Sequence, residues 1–484
     1  MKGKLFLVLV LMAVSLMGQN TLQINGMNEA EFVYRTAADS LNAYFSNSFG
    51  FNLRYRDFFF GMKFISELPK YSTEQTELLQ NLEPHRLNVD WKDLYAGFSR
   101  DMFTVQVGTT EETFGNAIVF RSFEDTEFDE DHRVQSALMR YDGDLKLKAI
   151  YGAINSANNV NRYDLAYGVD AEYPIWRGLR LGGSAMAFRE LTPLGVYGYR
   201  DVFAGRGNLN LGDFQAYAEY ATGKSYRQEV IAEDNISAVY ANAEYLFGPI
   251  IVGGAYKRYQ GFDYRLNDLP LANYHNETLS DALGSGQDEE GWQARASYTL
   301  ADGVYLHADY AEARDAAKEK RMNDLYVGFD FTGGTNSYAL SFSHIEKVDD
   351  LFRTWQKEYY PAFSADISPF GFPLSMQAEF KTVEKTIIEN DFQHYEPLVQ
   401  ADFKVEKLGV SLGLQSWWAD FSTIMESKYN PNIELRYPVF EHSDLILFAG
   451  KEQGGKVCRN GVCRYVAPFE ASGQNSQPDF EELL

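Results

Sequence analysis

Between residues 290 and 310 apolar and polar side chains alternate almost without interruption. In Trp292-Gln293-Ala294-Arg295-Ala296-Ser297-Tyr298-Thr299-Leu300 every even position is apolar and every odd one polar. After Ala301-Asp302-Gly303, residues Val304, Leu306, Ala308 and Tyr310 share one face, opposite His307 and Asp309. A period of two places successive side chains on opposite faces of a β-strand. The pattern recurs with Val239, Ala241, Ala243, Tyr245 and Phe247 against Tyr240, Asn242 and Glu244. It returns in Leu325, Val327, Phe329 and Phe331, and in Val399, Ala401, Phe403 and Val405 against Gln400, Asp402 and Lys404. Such a chain must give one strand face to an apolar medium and the other to a wet one.

The N-terminus indicates which medium. Met1-Lys2-Gly3-Lys4 is a small positive segment, and Leu5 to Val14 is an apolar run with small residues (Ala13, Ser15, Gly18) at or just past its end. This is the layout of a secretory signal peptide. Cleavage is expected near Gly18–Gln19, with Ser15 as the alternative. The run is too short for a membrane helix, which needs about 20 apolar residues. No Cys lies near the cleavage region, so the lipoprotein route is closed. Beyond residue 20, Asp, Arg, Gln or Ser interrupts the hydrophobics every few positions. The exported chain is thus either a soluble β protein, such as a lectin or propeller, or a membrane barrel.

Composition and connection lengths favour the barrel. The chain holds Phe 35, Tyr 32 and Trp 6 in 484 residues, yet its mean hydropathy is −0.34. Strands with one lipid face, one wet face and aromatic girdles produce that combination. Short turns (Arg56-Asp57, Asp142-Gly143-Asp144, Phe247-Gly248-Pro249, Ala301-Asp302-Gly303, Gly333-Gly334, Lys407-Leu408-Gly409) alternate with longer loops near 68–86, 112–131, 261–289 and 387–393. A barrel with tight periplasmic turns and longer extracellular loops has this parity. The net charge of −24 accompanies no basic stripe, which argues against nucleic-acid binding.

The expected fold is therefore all-β: a transmembrane antiparallel up-and-down barrel of about 24 strands, range 20–26. Residues 1–18 are the signal peptide, 19–469 the barrel and 470–484 a polar tail. The strands run from 21–35 to 428–437, then 443–459 and 462–469. With so little chain left over, no separate plug domain is expected, which argues against a plug-bearing transporter.

The sharpest local motif is Lys456-Val457-Cys458-Arg459-Asn460-Gly461-Val462-Cys463-Arg464-Tyr465-Val466. Asn-Gly fits a two-residue hairpin turn in which both residues need positive φ. Cys458 then faces Cys463 as a non-hydrogen-bonded pair, with Cα atoms about 4.5 Å apart, inside the disulfide window. A structural disulfide is expected in an oxidising compartment. A redox-active pair is the alternative, and a metal site would need further ligands. The tight turn falls on the long-loop side of this strand count, against the parity. The motif, with Pro468-Phe469 after it, resembles the C-terminal signature of an uncharacterised Bacteroidota outer-membrane family. That resemblance implies a location and an architecture but no activity. Barrels commonly end on an aromatic strand, whereas this chain ends in the polar stretch Glu470–Leu484.

Few residues suggest chemistry. The acidic run Glu124–His132 could offer Ca²⁺ ligands but lacks the ordered spacing of an EF-hand loop, so a solvated extracellular loop is expected. Among seven His, only His307 has a suggestive neighbour, Asp309, two positions along the same face. A nucleophile would have to come from another strand, for example Ser297 or Ser341. Neither a G-x-S-x-G nor an H-E-x-x-H motif occurs. No enzyme, cofactor or metal site is expected. By alternation Arg295, His307, Asp309, Asp330, Asp402 and Lys404 are lumen-facing charges. Their mixed signs predict a hydrated, cross-paired interior. Two functions remain: a porin-like channel for small solutes in the bacterial outer membrane, or a scaffold barrel holding lipoprotein or periplasmic partners.

Overall fold

Alternating segments become a meander when each can pair with its sequence neighbour. The computed structural model describes residues 22–34, 43–68, 88–125, 130–154, 164–191, 197–227, 233–262, 264, 266–273, 288–388, 390–422, 428–440, 442–451, 455–459 and 462–466. In it, 23 strands form one antiparallel sheet, each bonded to the next in chain order, from Gln23–Tyr34 to Ser443–Gly450. Three small hairpins stand outside that sheet: Glu112–Phe114 with Phe120–Ser122, Glu124–Asp125 with Glu130–Asp131, and Gly455–Arg459 with Val462–Val466. The expected signal peptide and polar tail lie outside the described residues.

Every strand expected between residues 21 and 437 has its counterpart. Two expectations at the edges need correction. The stretch 443–459 is not one strand. It stops at Gly450, whose φ is +142°, and Gly455–Arg459 joins the separate hairpin. A Cβ on Gly450 would lie 2.4 Å from the Asn432 Cα, so only glycine closes that ladder. The loop expected at 387–393 is also absent, because Leu374–Ile387 is followed by Asn390–Val405 almost at once.

The short turns are stereochemically explicit. Arg56, Asp101, Gly178, Gly212, Gly248, Gly303, Gly334 and Glu406 all have positive φ, as tight hairpins require. At Gly303 a Cβ would sit 2.1 Å from the Thr332 carbonyl oxygen, while the Thr332 amide donates to the Gly303 carbonyl at 2.7 Å. Twenty-three strands also have a directional consequence: the first and last run the same way. Among the described residues no ladder joins them.

The two sheet faces invert the rule for a water-soluble protein. Val169, Phe203 and Leu340 are each more than half exposed, while Asp170, Glu219 and Asp324 on the opposite face are 4%, 2% and 2% exposed. Apolar exposure continued over so many strands is untenable in water and suits hydrocarbon. Aromatic clusters sit on the same outward face. Phe64 meets Trp91 at 4.4 Å, and Tyr395 meets Phe421 at 4.3 Å. No helix of the described residues is long and apolar enough to cross a membrane; the crossings are made by strands. The architecture is a transmembrane antiparallel up-and-down β-barrel.

Substituting Val327→Arg places a cation on the outward face and should cost about 2–4 kcal/mol at mid-depth. Urea titration of refolding into lipid vesicles measures this. An unchanged midpoint would mean that this face does not meet lipid.

Candidate functional site: the polar interior

The inward face starts as rows of polar side chains on alternate strand positions. Over part of the wall it is covered by an apolar layer. Phe114, Ile118, Val119 and Phe120, after the fifth barrel strand, and Phe262, Tyr264 and Leu266, after Ile250–Gln260, form a single hydrophobic cluster. Its wall members include Val134, Leu138, Ile150, Met186, Phe188, Val202 and Ile236, all from strands between Val134–Asp142 and Ile250–Gln260. These share a sheet face with Asp170 and Glu219, so the two segments lie inside the barrel.

Backbone bonds interlock the two segments. Arg121 N donates to Leu266 O at 2.8 Å, and Asp268 N donates to Ala117 O at 3.1 Å. The Tyr264 hydroxyl reaches the carbonyls of Ile118 at 3.0 Å and Val119 at 2.8 Å. The Glu219 carboxylate takes the Asn116 amide at 3.0 Å and the Tyr217 hydroxyl. Gly115 has φ +56°, and a Cβ there would come within 2.6 Å of Glu219 Oε1. The loops expected at 112–131 and 261–289 are therefore not simply extracellular. Their apolar residues (Phe114, Ile118, Val119, Phe120, Phe262, Leu266) could not stay in water and fold onto the wall instead.

Ion pairs anchor this interior unit. Lys148 Nζ bonds Glu112 Oε1 at 2.9 Å and the Thr113 carbonyl at 2.8 Å. On the wall beneath it, Arg206 grips Asp170 with two bonds of 2.7 and 3.0 Å, and Ser184 donates to the same carboxylate at 2.6 Å. The side chain of Arg133, 3% exposed, meets Asp93 at 2.5 Å, Glu124 at 3.1 Å and Asp131 at 2.9 Å. Lys92 adds a 2.8 Å contact to Glu124. The acidic run at 124–132 is thus not a solvated loop at its described ends: Glu124 and Asp131 are spent on buried cations. No cluster of three or more metal-ligating side chains occurs among the described residues.

Each of the six anticipated lumen charges lies on the inward face, in separate groups. Arg295 pairs with Glu244. Asp309 accepts from Gln293 Nε2 at 2.5 Å and is not bonded to His307. His307 instead contacts Ser297 Oγ through Nδ1 at 3.0 Å and Asp330 Oδ2 through Nε2 at 2.8 Å. Asp402 accepts from Gln400 at 3.1 Å. Together with Lys404 it lines a recess of about 500 Å³ at the short-turn end, where Arg436 and Asp444 also lie. Cys458 and Cys463 stand opposite each other in register, but their side chains lie outside the described residues.

Sequence reading missed the polar ladder on strands Thr354–Ile367, Leu374–Ile387 and Asn390–Val405. There Lys381 Nζ meets Glu358 at 3.1 Å, and His394 Nε2 meets Glu396 at 2.9 Å. Gln377 Nε2 donates to Glu379 at 2.5 Å. Alternation could have found these residues, since they occupy the wet face of strands already identified. The hydrophobic cluster does not extend over this wall among the described residues.

Arg133→Met leaves four carboxylates (Asp93, Glu111, Glu124 and Asp131) around an absent cation, and should destabilise the folded barrel by about 3–5 kcal/mol. Denaturant titration checks it. Acidification should act on the same contacts. Burial raises the pKa values of Glu124 and Asp131, but Lys92 outweighs this for Glu124 and Arg133 for Asp131, with neighbouring cations adding to both, so both end below the ordinary carboxylate range. Stabilisation by a depressed carboxylate is in place above its unfolded pKa and is lost as pH falls through the folded value. Protection of the amides at residues 130–134, taken relative to their intrinsic exchange rate, should therefore fall below about pH 4.

A search of curated proteins finds no match. Among solved structures, the chain is similar to OccK3 (OpdO) of Pseudomonas aeruginosa, with 16% identity, 67% of this chain and 89% of that chain covered, and a TM-score of 0.40. It is similar to the translocation pore of the P pilus usher PapC at 11% identity, with 89% and 96% covered and a TM-score of 0.44. The vanillate complex of Pseudomonas aeruginosa OpdK gives 12% identity, 70% and 96% covered, and 0.41. Likenesses at these scores carry no argument about what this chain moves or binds. A family model does match more than half of the chain, residues 1–284, and by that match the protein belongs to the family of unknown function DUF6029.

Proposed function

We propose that this protein is a bacterial outer-membrane channel for small polar solutes, narrowed from inside by its own two inward segments. One observation carries the reading: the segments around Phe114–Phe120 and Phe262–Leu266 cover one stretch of wall, while a hydrogen-bonded polar ladder lines another. A solute crossing the barrel would pass between these surfaces. Strand numbers above about 16 leave room for water inside a barrel, and the internal layer restricts what would otherwise be a wide hole. The signal peptide, the Cys458–Cys463 disulfide and the Bacteroidota likeness of the C-terminal motif fit this reading and belong to it.

Planar-bilayer recording tests the proposal. The wild type should give defined conducting steps. Replacing Phe262 and Leu266 together by Ser removes two side chains of 0% exposure from the internal layer and should raise single-channel conductance severalfold. Silence from a properly folded barrel that co-purifies with a lipoprotein or periplasmic partner would overturn the channel and favour a scaffold.

A further inference from the structure

The geometry points to a second activity: Ser297, His307 and Asp330 form a nucleophile–base–carboxylate relay that hydrolyses short-chain carboxylic esters of polar molecules inside the lumen. The three residues come from three consecutive strands, Glu289–Ala301, Val304–Asp315 and Lys320–Gly333. Ser297 and His307 are direct cross-strand partners. Ser297 Oγ stands 3.0 Å from His307 Nδ1, and Asp330 Oδ2 stands 2.8 Å from Nε2. A nucleophile bonded to a base, with the base oriented by a third group, is the arrangement that activates serine. Asp330 favours the tautomer with hydrogen on Nε2, which leaves Nδ1 free to take the serine proton.

The surroundings permit a substrate. Gly328 lies directly opposite His307 in register, so no side chain from that position covers the imidazole. The Tyr326 hydroxyl lies 2.9 Å from where a Cβ on Gly328 would be. It shares a hydrogen bond with Ser341 on the next strand. The side chains of His307 and Asp330 are 32% and 44% exposed, so a dissolved molecule can reach them. Ala296, Leu306, Ala308, Val327 and Phe329 all face outward, so the inward side offers no apolar channel for a long acyl chain. Substrates are accordingly short acyl esters, such as acetates, of hydroxylated solutes.

The step balances without a co-reactant other than water. Ser297 Oγ bonds to the ester carbonyl carbon as its proton passes to His307 Nδ1. The tetrahedral adduct collapses, the bond from carbonyl carbon to alkoxy oxygen breaks, and the leaving alkoxide takes the proton from Nδ1. Water then repeats the sequence on the acyl-serine, releasing a carboxylic acid and regenerating Ser297. Ser297 and His307 are the catalytic residues; Asp330 is a positioning residue.

The test uses the full-length barrel in detergent micelles, with folding checked by its heat-dependent gel mobility. A fluorophosphonate probe should label Ser297, located by peptide mass spectrometry, and p-nitrophenyl acetate should be hydrolysed. Ser297→Ala and His307→Gln should lower the hydrolysis rate at least 100-fold. Asp330→Asn should slow labelling about 10-fold or more and move its pH profile downward, with partial rescue by Asp330→Glu. Labelling at another residue, no labelling of folded protein, or equal hydrolysis by folded Ser297→Ala would overturn the proposal. None of these outcomes depends on whether the lumen conducts.

Discussion

A backbone crossing hydrocarbon finds no water to bond its N–H and C=O groups, so it must satisfy them within the protein. Among the described residues no helix is long and apolar enough to cross, and the β-ladder is the means of crossing. The meander from Gln23 to Gly450 follows from this requirement, since each strand bonds its sequence neighbours with no crossover. Everything inside the barrel depends on the wall being built this way. Period-two geometry sends Val169 and Phe203 outward, and places Asp170 and Glu219 inward, where Glu219 holds the internal layer through the Asn116 amide.

The charged interior is organised as local exchanges. Arg133 gathers Asp93, Glu124 and Asp131, Arg206 takes Asp170, and Lys381 takes Glu358. Buried charges are costly unless paired and hydrogen-bonded, and each cation here sits within reach of carboxylates one or two strands away or on an inward segment. The −24 net charge of the chain therefore says little about any single place in the lumen.

The wall was legible in the sequence because strand alternation is a short-range signal repeated many times. Even the turn at Asp302-Gly303 could be read directly. Two things were not legible. One was the folding inward of residues 112–122 and 262–272, which depends on contacts between segments nearly 150 residues apart. Their apolar content was visible, but the surface that buries it is assembled from distant strands. The other was side-chain choice within the wet face. Alternation put His307 and Asp309 on one side of a strand, yet His307 bonds across the ladders to Ser297 and Asp330. Register between strands decides that, and a single strand carries no record of it.

The interlocking of Tyr264 with the carbonyls of Ile118 and Val119 also orders events in time. Closing so long a loop costs entropy before any contact repays it, and pairings distant in sequence form slowly. The first inward segment cannot find its partner until the strands from Val134 to Gln260 have been made and bent into a curved wall. The interior is thus finished after its container. Until then Phe114, Ile118 and Phe120 lack the part of their cover that Phe262, Tyr264 and Leu266 supply. A cell making this protein must keep that stretch from associating elsewhere for as long as the intervening strands take to assemble.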